Sequence, residues 1–129
     1  MLSVVSLSAA EVITSDKNSD GEADLWFTME GESIIEYSAD RNFDGVMDQK
    51  VIFDVEGVVQ YEELDFNWDG KMDDFYFYQD GALIRQEIDS NFDGSADMWV
   101  YLIGGIYVEK IERDENFDGI VDRTISYGE

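Results

Sequence analysis

The chain has no cysteine and no histidine, and only 8 basic residues stand against 31 acidic ones in 129. Without cysteine, no disulfide staples the fold. The missing histidine and cysteine also remove the usual nucleophile and general-base pairs, and no Gly-rich phosphate loop or G-x-S-x-G elbow replaces them. Acids are plentiful, but no pair is singled out by context for sugar hydrolysis. The reading is therefore not an enzyme. A net charge of −23 argues against nucleic acid and anionic membrane as direct partners. No stretch approaches the roughly 18 apolar residues of a membrane span.

What is present is a repeat. The pattern D-x-N-x-D-G-x-x-D begins at Asp16, Asp40, Asp65, Asp89 and Asp114, at intervals of 24, 25, 24 and 25 residues. It contains every asparagine of the chain (Asn18, Asn42, Asn67, Asn91 and Asn116) and 15 of the 18 aspartates. Such concentration of composition on one phase is the mark of a repeat architecture.

The loop chemistry points to calcium, a hard cation that takes six to eight oxygens and is well wrapped by oxygen side chains at loop positions 1, 3 and 5. Position 1 is Asp16, Asp40, Asp65, Asp89 and Asp114; position 5 is Asp20, Asp44, Asp69, Asp93 and Asp118, with the asparagines between them. Position 6 is always glycine, where the chain must turn sharply and φ is expected to be positive. Position 7 varies freely (Glu22, Val46, Lys71, Ser95, Ile120), as a backbone-carbonyl ligand permits. The bidentate Glu that closes an EF-hand at position 12 is replaced by Phe27, Val51, Tyr76, Val100 and Ile125. The closing carboxylate is then position 9: Asp24, Asp48, Asp73, Asp97 and Asp122. About five Ca²⁺ per chain are expected. In these nine residues the loops resemble those of bacterial extracellular calcium-binding repeats, and the shortened calcium loops of thrombospondin type 3 repeats, dockerins and FG-GAP-type repeats. The resemblance is confined to the loops and implies the ion rather than the fold.

The segments between loops specify the fold. Positions 12 and 14 are apolar in every repeat (Phe27/Met29, Val51/Phe53, Tyr76/Tyr78, Val100/Leu102, Ile125/Tyr127), a spacing of two that signals strands. Gly-containing pairs follow at Glu30-Gly31, Glu56-Gly57, Asp80-Gly81 and Gly104-Gly105, which suit two-residue hairpin turns. Return strands then lead into the next loop, as at 34–37, 58–61 and 106–109. Gly128 is left over. Helices, which dockerin loops open, are disfavoured by the glycine inside each segment and by the absence of i, i+3, i+4 spacing. The expected fold is all-β: an antiparallel meander of about ten strands, curled or partly closed, with calcium loops along one edge and tight turns along the other.

One domain is expected, with residues 16–129 forming the five-repeat unit and residues 1–15 a leader or first strand. Residues 1–10 read equally as the tail of a secretory signal, although they lack a basic n-region. Five calcium ions would bring the formal charge to about −13. Three crowded carboxylates per loop should couple folding to calcium binding. Weak calcium sites suit the outside of a cell, so a secreted or cell-surface protein is expected.

Two aromatic sets remain. Loop position 4 is Ser19, Phe43, Trp68, Phe92 and Phe117, read as a ladder packing each ring on the neighbouring repeat. Trp26, Phe75, Phe77, Trp99 and Tyr101 fall on the strand face opposite positions 12 and 14, and burial by a curling sheet or a second copy is expected there. Three functions follow: a structural or adhesive calcium repeat, a carbohydrate-binding module using that aromatic face, or part of a larger repeat or propeller array. The last rests on a final strand without the return partner that other repeats have. Calcium is the expected partner, with cell-surface polysaccharide, a protein or a second copy as further candidates.

Overall fold

The computed structural model describes residues 10–127. Ten strands follow one another: β1 (Glu11–Ser15), β2 (Leu25–Glu30), β3 (Ser33–Ala39), β4 (Gln49–Phe53), β5 (Val59–Leu64), β6 (Asp74–Gln79), β7 (Ala82–Ile88), β8 (Met98–Ile103), β9 (Tyr107–Arg113) and β10 (Arg123–Ser126). Each pairs antiparallel with the next, giving one ten-stranded meander in sequence order, and no described segment is helical. The sheet is not closed, since β1 and β10 do not pair. The D-x-N-x-D-G-x-x-D loops join β1 to β2, β3 to β4 and onward at one end of the strands. The hairpin turns lie at the other end. The reading of residues 1–10 as a signal remnant falls, except for Ala10, outside the described residues, as does Gly128.

Cross-strand pairing sorts the side chains onto two faces. One row runs Ile13, Phe27, Tyr37 and Val51, is interrupted by Glu62 and Gln86 on either side of Tyr76, and resumes as Val100, Ile111 and Ile125. The interruption is satisfied internally: buried Asp74 accepts hydrogen bonds from the Tyr76 hydroxyl and the Gln86 amide, both at 2.7 Å. On the opposite face Tyr61, Phe77, Arg85, Tyr101 and Lys110 stand side by side. Arg85 lies 4.1 Å from the Phe77 ring centre and Lys110 lies 4.7 Å from that of Tyr101, both cation–π contacts.

Among the described residues, nothing covers either face. Ala39 and Val51 are the only buried apolar residues among those described. Within the described chain Trp26, Phe75, Phe77, Trp99 and Tyr101 are half-buried, so the sheet's own curl does not enclose that face. The reason is topological. An open meander without helices places no second layer over either side, and each side chain is shielded only by its cross-strand neighbours.

Three of the four hairpin ends depart from the expected turns, and the third agrees. Asp80-Gly81 is a two-residue turn with both φ positive (52° and 80°), as a type I′ turn requires. The first turn is instead Gly31-Glu32, because Glu30 pairs with Ser33. The second is widened to Val55-Glu56-Gly57 by the Asp54 side chain, which accepts the backbone N–H groups of Glu56 and Val58 at 2.9 Å. The fourth runs Gly104-Gly105-Ile106 between Ile103 and Tyr107. Each hairpin carries a β-bulge at the same place, between Thr28 and Met29, Ile52 and Phe53, Phe77 and Tyr78, and Tyr101 and Leu102. An added residue on the return strand there increases local twist and keeps the register from slipping. Gly105, at φ 72°, also lies against the preceding hairpin: a Cβ there would meet the Leu83 backbone nitrogen at 3.3 Å. Gly105→Ala should therefore cost about 1–2 kcal/mol from left-handed strain alone, plus the crowding. A urea midpoint unchanged by the substitution would show that this turn is loose.

Candidate metal centre

All five loops fold alike, and their own backbone amides shape them. Both oxygens of the position 1 aspartate accept N–H groups: Oδ1 from position 5 (3.1–3.3 Å) and Oδ2 from the position 6 glycine (2.6–2.8 Å). The position 9 aspartate reaches back across the loop, where its Oδ2 accepts the position 2 N–H at 2.7–2.9 Å. Position 5 accepts the position 7 N–H through Oδ1 at 2.8–2.9 Å. The asparagine amide donates to the position 5 carboxylate in the first four loops. Position 6 has φ of 89–95°, in agreement with the glycine.

A carboxylate has about four lone-pair sites. The amides take one site on some of these oxygens and two on others, such as Asp65 Oδ1 and Asp73 Oδ2, and the remaining sites are available to a cation held inside the loop. The donor set (carboxylates, one amide oxygen, backbone carbonyls) is that of a hard cation. In the third loop, carboxylate oxygens of Asp65, Asp69 and Asp73 lie within 4.8 Å of one another, as do those of Asp114, Asp118 and Asp122 in the fifth. These groups are able to hold a metal ion. Burial pushes the Asp73 carboxyl above its ordinary value, and the nearby Asp69 and Asp65 charges add to this, against the lowering effect of the Phe66 and Asn67 amides. Crowded anions here favour a proton or a cation.

The other three loops do not draw their carboxylates into so tight a group. In two of them a residue overlooked by the sequence reading takes part. Arg41, at position 2, gives its Nε to Asp48 Oδ1 at 2.5 Å, and Ser90 gives its hydroxyl to Asp97 Oδ1 at 2.6 Å. Position 2 thus competes for the closing carboxylate. An arginine or serine there was the available signal, since the other loops carry Lys17, Phe66 and Glu115.

Position 4 is in the left-handed region in every loop, at φ of 60–64°, although none of Ser19, Phe43, Trp68, Phe92 and Phe117 is glycine. The rings are not the buried ladder expected of them. They are 43–48% exposed, because the left-handed turn lifts them to the rim. Phe43 and Phe117 border small crevices shared with the preceding loop, and Arg41 lies 5.0 Å from the Trp68 ring centre.

Neighbouring loops touch through their end residues. The N–H of each position 1 aspartate donates to the carbonyl of the previous loop's position 9 aspartate: Asp40 to Asp24, Asp65 to Asp48 and Asp89 to Asp73 at 2.8 Å, and Asp114 to Asp97 at 2.9 Å. Each such junction buries both side chains, leaving all eight between 1% and 3% exposed. Asp16 and Asp122, at the outer sides of the first and last loops, are exposed.

No family model matches the chain, and no curated protein matches it. Among solved structures it is similar to part of the crystal structure of accessory secretory protein 1,2 and 3 in Streptococcus pneumoniae. The TM-score is 0.57 at 15% identity, over 88% of this chain and 20% of that one. The chain spans about a fifth of the length of that neighbour, and the likeness is one of fold.

Burial separates otherwise equal aspartates. Asp65 and Asp16 each accept N–H groups from positions 4, 5 and 6 of their loops. Only Asp65 is buried, so Asp65→Ala should cost about 2–3 kcal/mol by stranding amide donors away from water, and Asp16→Ala under about 1 kcal/mol. Urea unfolding of both variants checks this; equal losses would show that the junction does not exclude water.

Proposed function

We propose that the protein is a non-catalytic calcium-binding repeat protein of a secreted or cell-surface setting, whose loops take up about five Ca²⁺ to stiffen the sheet for a structural or adhesive role. The observation that carries this is the same amide-cradled aspartate loop formed five times, with carboxylates buried in pairs at every loop junction. A sheet with almost no enclosed core gains little from apolar burial, so its buried acids call for charge compensation. When bound, calcium supplies that positive charge.

Within the third loop, Asp65 and Asp73 would hold the ion, with Asp69 and Asn67 adding oxygens. The position 7 carbonyl, here of Lys71, would complete the protein set, in keeping with a side chain free to vary at that position. Where Arg41 or Ser90 holds the closing carboxylate, that bond must break or share before the ion is fully coordinated. The second and fourth loops are therefore the slower or weaker sites, together with the Asp16 loop, which has no ring at Ser19. The neighbour of similar fold is named as an accessory secretory protein, which is in keeping with this setting.

The carbohydrate-binding reading is less well supported. On the aromatic face the Phe77 and Tyr101 rings already carry Arg85 and Lys110 upon them, and Tyr101 donates to Glu112. Those rings are not free to stack a sugar.

Calorimetric titration of the metal-free protein should saturate near five Ca²⁺, and Asp69→Ala should remove one ion. Saturation at one or two would show that most loops are ordinary turns. Chelator should reduce the strand signal in circular dichroism, and Mg²⁺ should restore it poorly because it demands a tight octahedron and sheds water reluctantly. An unchanged melting temperature after chelation would make the ion incidental to the fold.

A further inference from the structure

We propose that the hairpin end of the sheet is a docking surface for a polypeptide segment that presents a large apolar side chain followed by basic residues. The seat for the apolar group is a groove of about 470 Å³ between the first two hairpins. Its lining is largely apolar: Phe27, Tyr37 and Phe53 from the strands, with Ile34 and Val55, 40% and 56% exposed, beside the turns. Phe27 and Tyr37 stand together in the row on one sheet face, their ring centres 5.3 Å apart.

The groove opens at this place for a local reason. Further along, the hairpins close on one another: a Cβ at Gly81 would meet Val58 Cγ1 at 3.5 Å, and one at Gly105 would meet the Leu83 nitrogen at 3.3 Å. A Cβ at Gly31 or Gly57 would meet no described atom within 4 Å. The second turn is widened by the Asp54 carboxylate, which holds the N–H groups of Glu56 and Val58. The Ser33 hydroxyl donates to the Val55 carbonyl at 2.6 Å and ties that turn to the first hairpin. The groove is thus shaped before any partner arrives, which keeps the ordering cost of binding low.

Charge selects the occupant. Glu32 and Glu56 also line the groove. Glu56 borders a second hollow of about 460 Å³ as well, together with Asp54, Gln60, Tyr78 and Asp80. No lysine or arginine lines either hollow, and none occurs in residues 18–40 or 51–70. An apolar seat beside an acidic one complements a partner with an apolar anchor and a cationic flank. Successive hairpins are two strands apart, about 10 Å, which an extended chain covers in about three residues. That distance favours a polypeptide over a small amine confined to one hollow.

The groove lies at the opposite end of the strands from the loops, so this surface does not depend on the calcium reading. The probe is a labelled peptide with one leucine and two lysines at that spacing in a serine background. It is titrated into the full chain in calcium chloride and ~0.15 M salt, where the Debye length is about 8 Å. A peptide with serine for leucine, or with glutamates for lysines, should bind about tenfold more weakly or worse. Val55→Lys sets a like charge in the seat and should weaken binding about tenfold, and the Glu32→Gln/Glu56→Gln double variant about fivefold. Glu109→Gln, which alters an exposed acid outside both hollows, should leave binding unchanged. Ile34→Lys takes the place of Val55→Lys should that variant lose its strand signal.

No binding by ~1 mM leucine–lysine peptide overturns the proposal and leaves the calcium titration standing. Equal binding of the leucine-free peptide, or an equal loss in Glu109→Gln, also overturns it, being the sign of bulk attraction to a chain of net charge −23. So does wild-type self-association abolished by Val55→Lys, which would make a second copy the occupant. Binding gained only on removal of residues 1–9 overturns it too, by making this chain its own occupant.

Discussion

The backbone bond from each loop's first aspartate to the carbonyl of the previous loop's last one is the constraint on which this molecule depends. It brings two carboxylates out of water at every junction, four times over, in a protein of net charge −23. Buried carboxylates are tolerated when donors surround them, and here backbone amides supply those donors. Amides orient an anion but do not cancel its charge. The same contact that stitches one repeat to the next therefore raises the electrostatic tension of the stack, most visibly at Asp73, whose carboxyl is held above its ordinary range by burial and by two neighbouring aspartates.

This arrangement sets where stability resides. In a two-layer domain the apolar faces meet each other and the loops are free to wander. Here the layers are absent and the order is reversed. The aspartates at the loop ends are among the most buried residues described, while the loop bodies are exposed and the strands are half-open on both sides. Local opening should begin at the hairpin tips, where Ile103, Ile106 and Tyr107 are well exposed, and end at the loop junctions.

Much of this was legible in the chain itself, because the repeat reports the same local physics five times. The alternation of Phe27/Met29 and its counterparts specified strands, and the invariant glycine at position 6 specified a positive φ. The order of strands followed because short connections allow only neighbours to pair. The misreadings have different causes. Burial of Trp26 or Trp99 depends on whether a second layer exists, and no local pattern encodes that. The turn at Gly31-Glu32 was misplaced by one residue because register, not composition, decides which pair turns. Arg41 and Ser90 were passed over because position 2 has no fixed type, and its effect appears only when the side chain folds back on the closing aspartate.

The bulges recurring at the same place in every hairpin have a consequence for size. Loop, bulge and turn are all completed within one repeat and its immediate neighbour, so the height of the molecule is set by strand length and does not change with repeat number. Its reach across the strands is a separate variable. That reach grows in steps of two strands, about 10 Å each, and every step adds the same increment of twist. A gene encoding such a chain can lengthen or shorten its product by whole repeats without devising any new contact, and the molecule then behaves as a ruler whose graduations are its loops.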